Sequence, residues 1–215
     1  MARYVKLNAD NAYIWRIIHR DNLPWILDHG LHCGNSAMQS PTWINIGNED
    51  LISKRTHRSV PLAPHGKLSD YVPFYFTPFS PMMYNIHTGR GVPHRNNSEI
   101  IILVSTLRRV QELKHQFLFT DQHAYPPMAN YFNDLNDLDK IDWPLLQNRN
   151  FQRNPDDPQQ FERYQAEALV YQHLPFNALI GVICYTDEIK QHIEMDLRSR
   201  NLALNVQTMT GWYFA

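Results

Sequence analysis

Residues 71–87 read YVPFYFTPFSPMMYNIH, and within this stretch the pattern of a strand changes abruptly into the pattern of a helix. Aromatic side chains dominate residues 71–77, and such side chains favour strands. Pro78 ends the strand because proline cannot donate a hydrogen bond to a neighbouring strand. Ser80 followed by Pro81 is typical of a helix N-terminus. The pattern indicates either an aromatic wall for a planar heterocycle or a buried core strand with a tight exit.

Several other segments have the pattern of strands. The apolar run EIIILVS at residues 99–105 is typical of a strand that is covered on both faces. The strands are not joined by regular crossover helices, so the sequence predicts an α+β fold rather than a doubly wound sheet. The other predicted strands are residues 12–18, 117–120, 167–171, 179–184 and 202–214.

Polar capping residues mark the predicted helix starts. Asp21 begins a helix that ends at Gly30, Thr106 begins a short helix, and Thr186 begins a helix that runs to residue 200. Asn48 begins a helix with acidic residues in its first turn and basic residues in its last, as the helix dipole favours. The basic residues of that last turn are Lys54, Arg55, His57 and Arg58.

Two polar segments separate these elements. Residues 33–47 are rich in Asn, Ser, Pro and Gly and are predicted to be a loop. Residues 121–165 contain no strong strand pattern, and a helical piece is predicted at 129–135. An insertion of this length in a compact domain is usually functional or mobile.

The composition describes a globular chain with a balanced charge. Hydrophobic residues make up 43% of the sequence and the formal net charge is −1, which argues against broad, non-specific DNA binding. No apolar run approaches the ~20 residues of a membrane span, and no secretory signal pattern is present, so we expect a cytoplasmic protein. Cys33 and Cys184 are too few for a disulfide framework, and the histidines lack metal-binding spacing, so no metal site is predicted.

Several ordered blocks of the sequence resemble one protein family. The run at 71–87 is preceded by IWRIIHRDNLPWIL (14–27) and KRTHRSVPL (54–62), and followed by FLFTDQHA (117–124), YFNDLNDLDKIDW (131–143) and QAEALVY (165–171). Together they resemble the DarT family of DNA ADP-ribosyltransferase toxins. The resemblance implies an ADP-ribosyltransferase fold in one domain, residues 1–215, with two small sheets pinching an NAD cleft and helices outside. Residues 33–66 would then lie near NAD and DNA, and residues 121–165 over the active site.

The resemblance also implies a reaction. The chain would transfer ADP-ribose from NAD+ onto a base, thymine, of single-stranded DNA in a sequence-dependent manner, and nicotinamide would leave. The protein would act as a monomer and be countered by a macrodomain antitoxin. Two alternatives stay open at this point: an RNA or protein acceptor, and a non-catalytic nucleic-acid-binding relative.

Glu167 is the first catalytic candidate. It begins a predicted apolar strand directly after the long polar segment, where an arbitrary glutamate is usually a solvated strand end. The resemblance implies a different role, because the family's catalytic glutamate lies in this QAE context. A carboxylate near the ribose of NAD+ stabilises the positive charge that develops when a glycosidic bond breaks.

Arg55 is the second catalytic candidate, and its basic neighbours are candidates for DNA contacts. A basic cluster is by default a solvated helix end. In the family, the arginine of this context faces the active site, which implies that Arg55 holds a phosphate or the modified nucleotide. The predicted DNA contacts are Lys54, His57, Arg58, Arg149 and Arg153.

The resemblance implies NAD contacts from several segments. Many relatives read YHIT where this chain has Trp15-Arg16-Ile17-Ile18, so Arg16 and Ile18 replace a histidine and a threonine. Backbone contacts survive such changes, and Arg16 is free to reach a phosphate. Tyr75 is favoured over Phe74 and Phe76 as the stacking residue because a half-buried tyrosine keeps a polar group. The predicted cofactor-binding residues are Trp15, Arg16, Ile17, Asn22, Tyr75, Tyr84 and His123.

Overall fold

A computed structural model describes residues 4–214 and places ten strands in two sheets. Most of them coincide with the predicted strand segments. The strands are β1 Tyr13–His19, β2 Leu31–His32, β3 Tyr71–Tyr75, β4 Ile100–Thr106, β5 Phe117–Thr120, β6 Tyr131–Phe132, β7 Glu167–Tyr171, β8 His173–Leu174, β9 Gly181–Cys184 and β10 Asn205–Thr208.

The main sheet has eight strands in the order β10-β9-β4-β1-β3-β7-β5-β6, and β2 pairs with β8 in a separate small sheet. Strand β1 pairs with β4 along its whole length, from Tyr13 to His19. Between β1 and β3, by contrast, one registered pair joins the described residues, Trp15 and Tyr75. The main sheet therefore consists of two four-stranded halves that separate beyond this pair. The predicted α+β fold is confirmed. The two sheets that were expected to enclose the cleft are the two halves of the main sheet.

Helices flank the sheets. Four of them begin with side-chain caps at predicted positions: Asn48 accepts a hydrogen bond from the Leu51 N–H, Ser80 from Met83, Thr106 from Arg109 and Thr186 from Ile189. The helices are α1 Leu23–His29, α2 Glu49–Arg55, α3 Pro81–Thr88, α4 Leu107–Glu112, α5 Trp143–Gln147, α6 Gln160–Arg163 and α7 Asp187–Ser199.

The N-terminal end of α1 differs from the prediction. The N-cap position is Asn22 rather than Asp21, and the Asn22 side chain makes no capping hydrogen bond. A short 3-10 turn, Arg20–Asn22, comes first, and the His19 ring accepts a hydrogen bond from the Asp21 N–H. Asp21 is therefore committed to this preceding turn and cannot cap the helix.

Three other predicted elements are shorter than expected or wrong. Helix α2 ends at Arg55, so His57 and Arg58 lie beyond its last turn. The helix predicted at 129–135 is wrong, because Tyr131–Phe132 is a strand that pairs with β5 through Thr120. The strand predicted at 202–214 is confined to Asn205–Thr208, where pairing with β9 sets its length.

The long polar segment 121–165 is held against the sheet by specific bonds. Its first part returns to β5 as strand β6, and the Tyr131 hydroxyl donates to the Ala124 carbonyl at 2.6 Å. Farther along, the guanidinium of Arg163 binds Asp157 and Asp142. Within residues 4–214, no helix combines the length and apolar character that a bilayer span requires.

Candidate active site

A cleft of about 150 Å³ opens where the two halves of the main sheet separate. Its floor comes from β1 and β3, and its rim from residues 43–48, α2 and the start of the 121–165 segment. Seven of the predicted site residues line it. They are Arg16, Ile17, Asn22, Arg55, Tyr75, His123 and Glu167.

Glu167 is fixed from three directions at the edge of the cleft. Its side chain is 3% exposed. Arg55 Nη1 donates to its Oε2 at 2.9 Å, the Ala124 N–H donates to its Oε1 at 3.0 Å, and His123 Nε2 lies 3.5 Å from the same Oε1. The Glu167 N–H donates to the Thr120 hydroxyl at 3.2 Å. A buried carboxylate with this many partners is held in a defined orientation.

The surroundings of Glu167 keep it ionised. Burial alone raises the pKa of the Glu167 carboxyl, because it disfavours the charged form. Arg55, His123 and the Ala124 N–H act in the opposite direction and outweigh burial, so the pKa lies below its usual range. The site therefore presents a carboxylate at neutral pH.

Arg55 connects α2 to the sheet through this carboxylate. Its side chain is 11% exposed, and Nη1 also lies 3.3 Å from Glu167 Oε1. Its Nη2 is buried and has no hydrogen-bond partner among the described residues. One end of the guanidinium thus positions the carboxylate, while the other end retains an unused donor.

Tyr75 is the residue of the aromatic strand β3 that faces the cleft, as strand alternation predicts. Phe74 and Phe76 are buried in the core, whereas Tyr75 lines the cleft. Tyr75 is the registered partner of Glu167 across β3 and β7, so the two side chains project from the same face. Burial, and then the charge of Glu167, raises the pKa of the Tyr75 hydroxyl well above its usual range. The aromatic wall is therefore divided between core and cleft.

Asn22 lines the cleft, but its amide is already engaged. It donates to the Ile44 carbonyl at 2.8 Å and accepts from the Ile44 N–H at 2.9 Å. These paired bonds hold residues 43–48 over the cleft, so Asn22 anchors the loop.

Two predicted cofactor-binding residues lie outside the cleft. The Trp15 side chain packs beside Tyr13 and Trp212 and lines a different cavity. Tyr84 packs against Phe151 and Phe214. Their places depend on residues distant in sequence, which the local patterns do not contain.

The predicted DNA-contacting residues fall into two groups. Lys54 and His57 are exposed at the end of α2, beside the cleft-lining Arg55. The other three are engaged elsewhere: Arg58 Nη2 donates to the Pro126 carbonyl at 3.3 Å, Arg149 stacks 3.4 Å over the Phe79 ring, and Arg153 lies 5.0 Å over the Phe161 ring. None of these five residues lines the cleft.

Sequence patterns missed three contributors to the site. The Ala124 N–H and the Thr120 hydroxyl fix Glu167, and Trp43 lines the cleft from the polar loop. A backbone donor has no residue-type signal, so Ala124 was not detectable. Both Thr120 and Ala124 lie within the FTDQHA block, however, and this block was the available signal.

Comparison with known proteins identifies the family. Residues 15–214 match the family model of DarT, described as ssDNA thymidine ADP-ribosyltransferase. A DNA ADP-ribosyl transferase of Escherichia coli O127:H6 is 59% identical over 210 residues, which cover 97% of this chain and 96% of that protein. A DNA ADP-ribosyl transferase of Thermus sp. is 33% identical over 180 residues, 84% of each chain.

Solved structures agree in fold. Thermus sp. 2.9 DarT in complex with ADP-ribosylated ssDNA has a TM-score of 0.88 and 30% identity, and the match covers 95% of this chain and 97% of that one. The same protein in complex with NAD+ has a TM-score of 0.83 and 31% identity, over 95% and 98%. The expected enzyme activity, with NAD+ as substrate and single-stranded DNA as acceptor, is confirmed, and the chain belongs to the DarT family of ssDNA thymidine ADP-ribosyltransferases.

Proposed function

We propose that Glu167 is the catalytic carboxylate and that NAD+ binds with its nicotinamide riboside between Tyr75 and Glu167. The observation that carries this proposal is the buried Glu167 carboxylate at the edge of the cleft, held by Arg55 at 2.9 Å. Tyr75 offers a ring face beside it for the planar nicotinamide. Arg16, Ile17 and His123 line the same cleft and complete the proposed binding site.

The chemistry explains the need for a carboxylate at this place. The bond between nicotinamide and ribose C1′ breaks, and nicotinamide leaves with the electron pair of that bond. Positive charge develops on the ribose, as in other glycosidic cleavages. A new bond then forms between C1′ and an atom of thymine, and the proton that this bond displaces from the base passes to solvent water. Glu167 lies where a fixed negative charge can stabilise the ribose.

The lowered pKa of Glu167 favours the electrostatic role. A group that stays ionised at neutral pH stabilises positive charge continuously, whereas an efficient proton carrier has a pKa near the working pH. Arg55 reinforces this state through its charge and hydrogen bonds. We assign Arg55 to positioning Glu167 and, through its free Nη2, to contacting substrate.

We propose that single-stranded DNA crosses the cleft along the end of α2. Lys54 and His57 are exposed there and can meet phosphates. Arg58 binds the Pro126 carbonyl, which connects this end of α2 to the segment 121–165. The whole chain, residues 1–215, would then act as one domain, with 33–66 near both substrates and 121–165 over the active site.

Family membership supports three further proposals: a macrodomain antitoxin that removes the modification, a preferred DNA sequence, and a cytoplasmic monomer. Co-expression of a macrodomain hydrolase should restore growth of cells that produce the active protein. Oligonucleotides that vary the bases around one thymidine should be modified at different rates. Light scattering should give the mass of one chain.

The central test compares Glu167→Gln with the wild-type protein. Each is incubated with NAD+ and a thymidine-containing oligonucleotide, and the product mass is measured. We expect the rate to fall at least about 100-fold, because the amide removes the negative charge but keeps the size. Glu112→Gln, an exposed carboxylate on α4, is the control and should keep full activity. Equal rates for Glu167→Gln and the wild type would refute the assignment.

A further inference from the structure

The turn between β5 and β6 contacts Glu167 from outside the cleft. Residues 121–130 form this turn, and the registered pair of Thr120 and Tyr131 lies where the chain leaves and rejoins the sheet. The Tyr131 hydroxyl reaches back into the turn and donates to the Ala124 carbonyl at 2.6 Å. The N–H of the same alanine donates to Glu167 Oε1 at 3.0 Å. One backbone residue therefore connects the tyrosine hydroxyl to the carboxylate.

Ala124 depends on Tyr131 for its orientation. It is fully buried, and its carbonyl accepts no other hydrogen bond from the described residues. Each residue has only two soft backbone dihedral angles, so a carbonyl held in one direction also limits the direction of the N–H on that residue. A buried carbonyl without a donor is costly, so this contact is strongly favoured in the folded protein.

Tyr131 is suited to act as the donor. Its ring is partly buried against a second, smaller core. Burial, and then the charge of Glu167, raises the pKa of the Tyr131 hydroxyl above its usual range, so the hydroxyl stays protonated at neutral pH. Tyr131 is not among the residues that line the cleft, so its effect on Glu167 passes through Ala124. The residues of the smaller core are Val60, Leu68, Tyr71, Leu118, Ala124 and Leu169.

Two other contacts hold the turn without involving Ala124. Asp121 accepts hydrogen bonds from the backbone N–H of Asn130 at 3.1 Å and from its side-chain amide at 2.7 Å. Arg58 Nη2 donates to the Pro126 carbonyl at 3.3 Å. The turn should therefore stay attached to the sheet when the Tyr131 hydroxyl is removed, and the change should be confined to Ala124 and the carboxylate beyond it.

We propose that Tyr131 is a positioning residue for the reaction, whose hydroxyl orients Ala124 so that the Ala124 N–H holds Glu167 Oε1. This rests on the proposed catalytic role of Glu167. The Ala124 N–H is the nearest hydrogen-bond partner of Oε1, whereas Arg55 is the nearest partner of Oε2, at 2.9 Å. The two oxygens are thus fixed by different parts of the chain, and loss of the Ala124 contact lets the carboxylate rotate about the remaining one.

Tyr131→Phe removes the hydroxyl and keeps the ring. Tyr125→Phe is the matched control, because Tyr125 packs against the same smaller core and its hydroxyl makes no hydrogen bond to the described residues. Thermal unfolding should show that both variants are folded. The direct measurement is hydrogen exchange of the Ala124 amide by NMR. Tyr131→Phe should accelerate this exchange on the order of tenfold, and Tyr125→Phe should leave it unchanged.

Kinetics with NAD+ and a thymidine-containing oligonucleotide test the consequence for the reaction. Tyr131→Phe should lower kcat about tenfold, because a misplaced catalytic group slows the chemical step. It should change KM for NAD+ by less than about twofold, because the substrate contacts remain.

The pH profile of kcat separates positioning from a general loss of stability. The Ala124 N–H lowers the pKa of Glu167, so its loss raises that pKa and the acid limb should move to higher pH in Tyr131→Phe. A purely structural defect would leave this limb in place. The other charged or titratable groups that act on Glu167 or respond to it are the same in both variants: Arg16, Arg55, Tyr75 and His123.

Ala124→Gly gives an independent route to the same change. It keeps both backbone groups but gives the residue more conformational freedom. It should lower kcat and move the acid limb in the same direction as Tyr131→Phe. Because both changes act on one contact, the double variant should lose less activity than the product of the two single losses.

Unchanged exchange of the Ala124 amide in folded Tyr131→Phe would overturn the proposal. An unmoved acid limb, an unchanged kcat or an equal effect of Tyr125→Phe would also overturn it. Each of these results leaves the assignment of Glu167 intact. Conversely, a fully active Glu167→Gln enzyme would refute the reaction site and with it the role of Tyr131 in the reaction, while faster exchange at Ala124 would still demonstrate the contact.

Discussion

Arg55 and Glu167 are 112 residues apart in sequence, yet Arg55 Nη1 lies 2.9 Å from Glu167 Oε2. The pair joins α2 to β7 at the place where the two halves of the main sheet separate. It therefore combines two functions, because it holds the rim of the cleft in place and orients the carboxylate that faces the substrate.

Loss of Arg55 should affect stability as well as activity. Arg55→Gln leaves the Glu167 carboxylate buried without its charged partner, which is expected to lower the free energy of unfolding by about 3 kcal/mol. Urea denaturation measures this change. Lys190→Gln removes a half-exposed ion pair with Glu194 and should cost at most about 1 kcal/mol. If the two variants are equally stable, the buried pair does not stabilise the fold.

The lowered pKa of Glu167 predicts a pH dependence of stability. A depressed folded pKa means that the ionised group stabilises the fold above its unfolded pKa of about 4.3. This contribution is lost as the pH falls through the lower folded pKa. The difference in unfolding free energy between the wild type and Glu167→Gln should therefore be constant from pH 7 to about 5 and change below about 4.3. A change that is complete above pH 5 would indicate a raised pKa instead.

Tyr75 should contribute its ring rather than its hydroxyl to NAD+ binding. Tyr75→Phe keeps the stacking face, so its KM for NAD+ should stay within about threefold of wild type, whereas Tyr75→Leu should raise KM at least about tenfold. Steady-state kinetics at saturating DNA measures both. Tyr84→Leu is the control, because Tyr84 packs against Phe151 and Phe214 outside the cleft. An equal rise for Tyr84→Leu would contradict the proposed binding site.

Lys54 should bind DNA phosphate without affecting NAD+. Lys54→Gln is expected to weaken oligonucleotide binding and to reduce the slope of log K against log salt by about 0.7, the value for one contact with single-stranded DNA. Fluorescence anisotropy at several salt concentrations gives the slope. Lys190→Gln on α7 removes an equivalent charge outside the cleft lining and should leave the slope unchanged. An unaltered slope for Lys54→Gln would place the DNA elsewhere.

Local chemistry was sufficient for most of the elements. Ser80 before Pro81, and Asn48 before two acidic residues, predicted helix starts that the fold confirms, because a cap acts over three or four residues. Alternation in β3 is also a local property, because successive side chains of a strand point to opposite faces. It separated Tyr75 from Phe74. The resemblance of the QAE block then selected Glu167.

The tertiary structure decided what each side chain is free to do. The Asn22 amide is hydrogen-bonded to Ile44, and the Ala124 N–H completes the Glu167 site. The side chains of Trp15 and Tyr84 pack away from the cleft. Most of the strands were predictable from the sequence by itself, since they follow from residue types and short spacings, and the resemblance to one family supplied the catalytic candidates. The cleft and the free donors of Arg16 and Arg55 depend on contacts between distant segments, which appear only when the sheet is assembled.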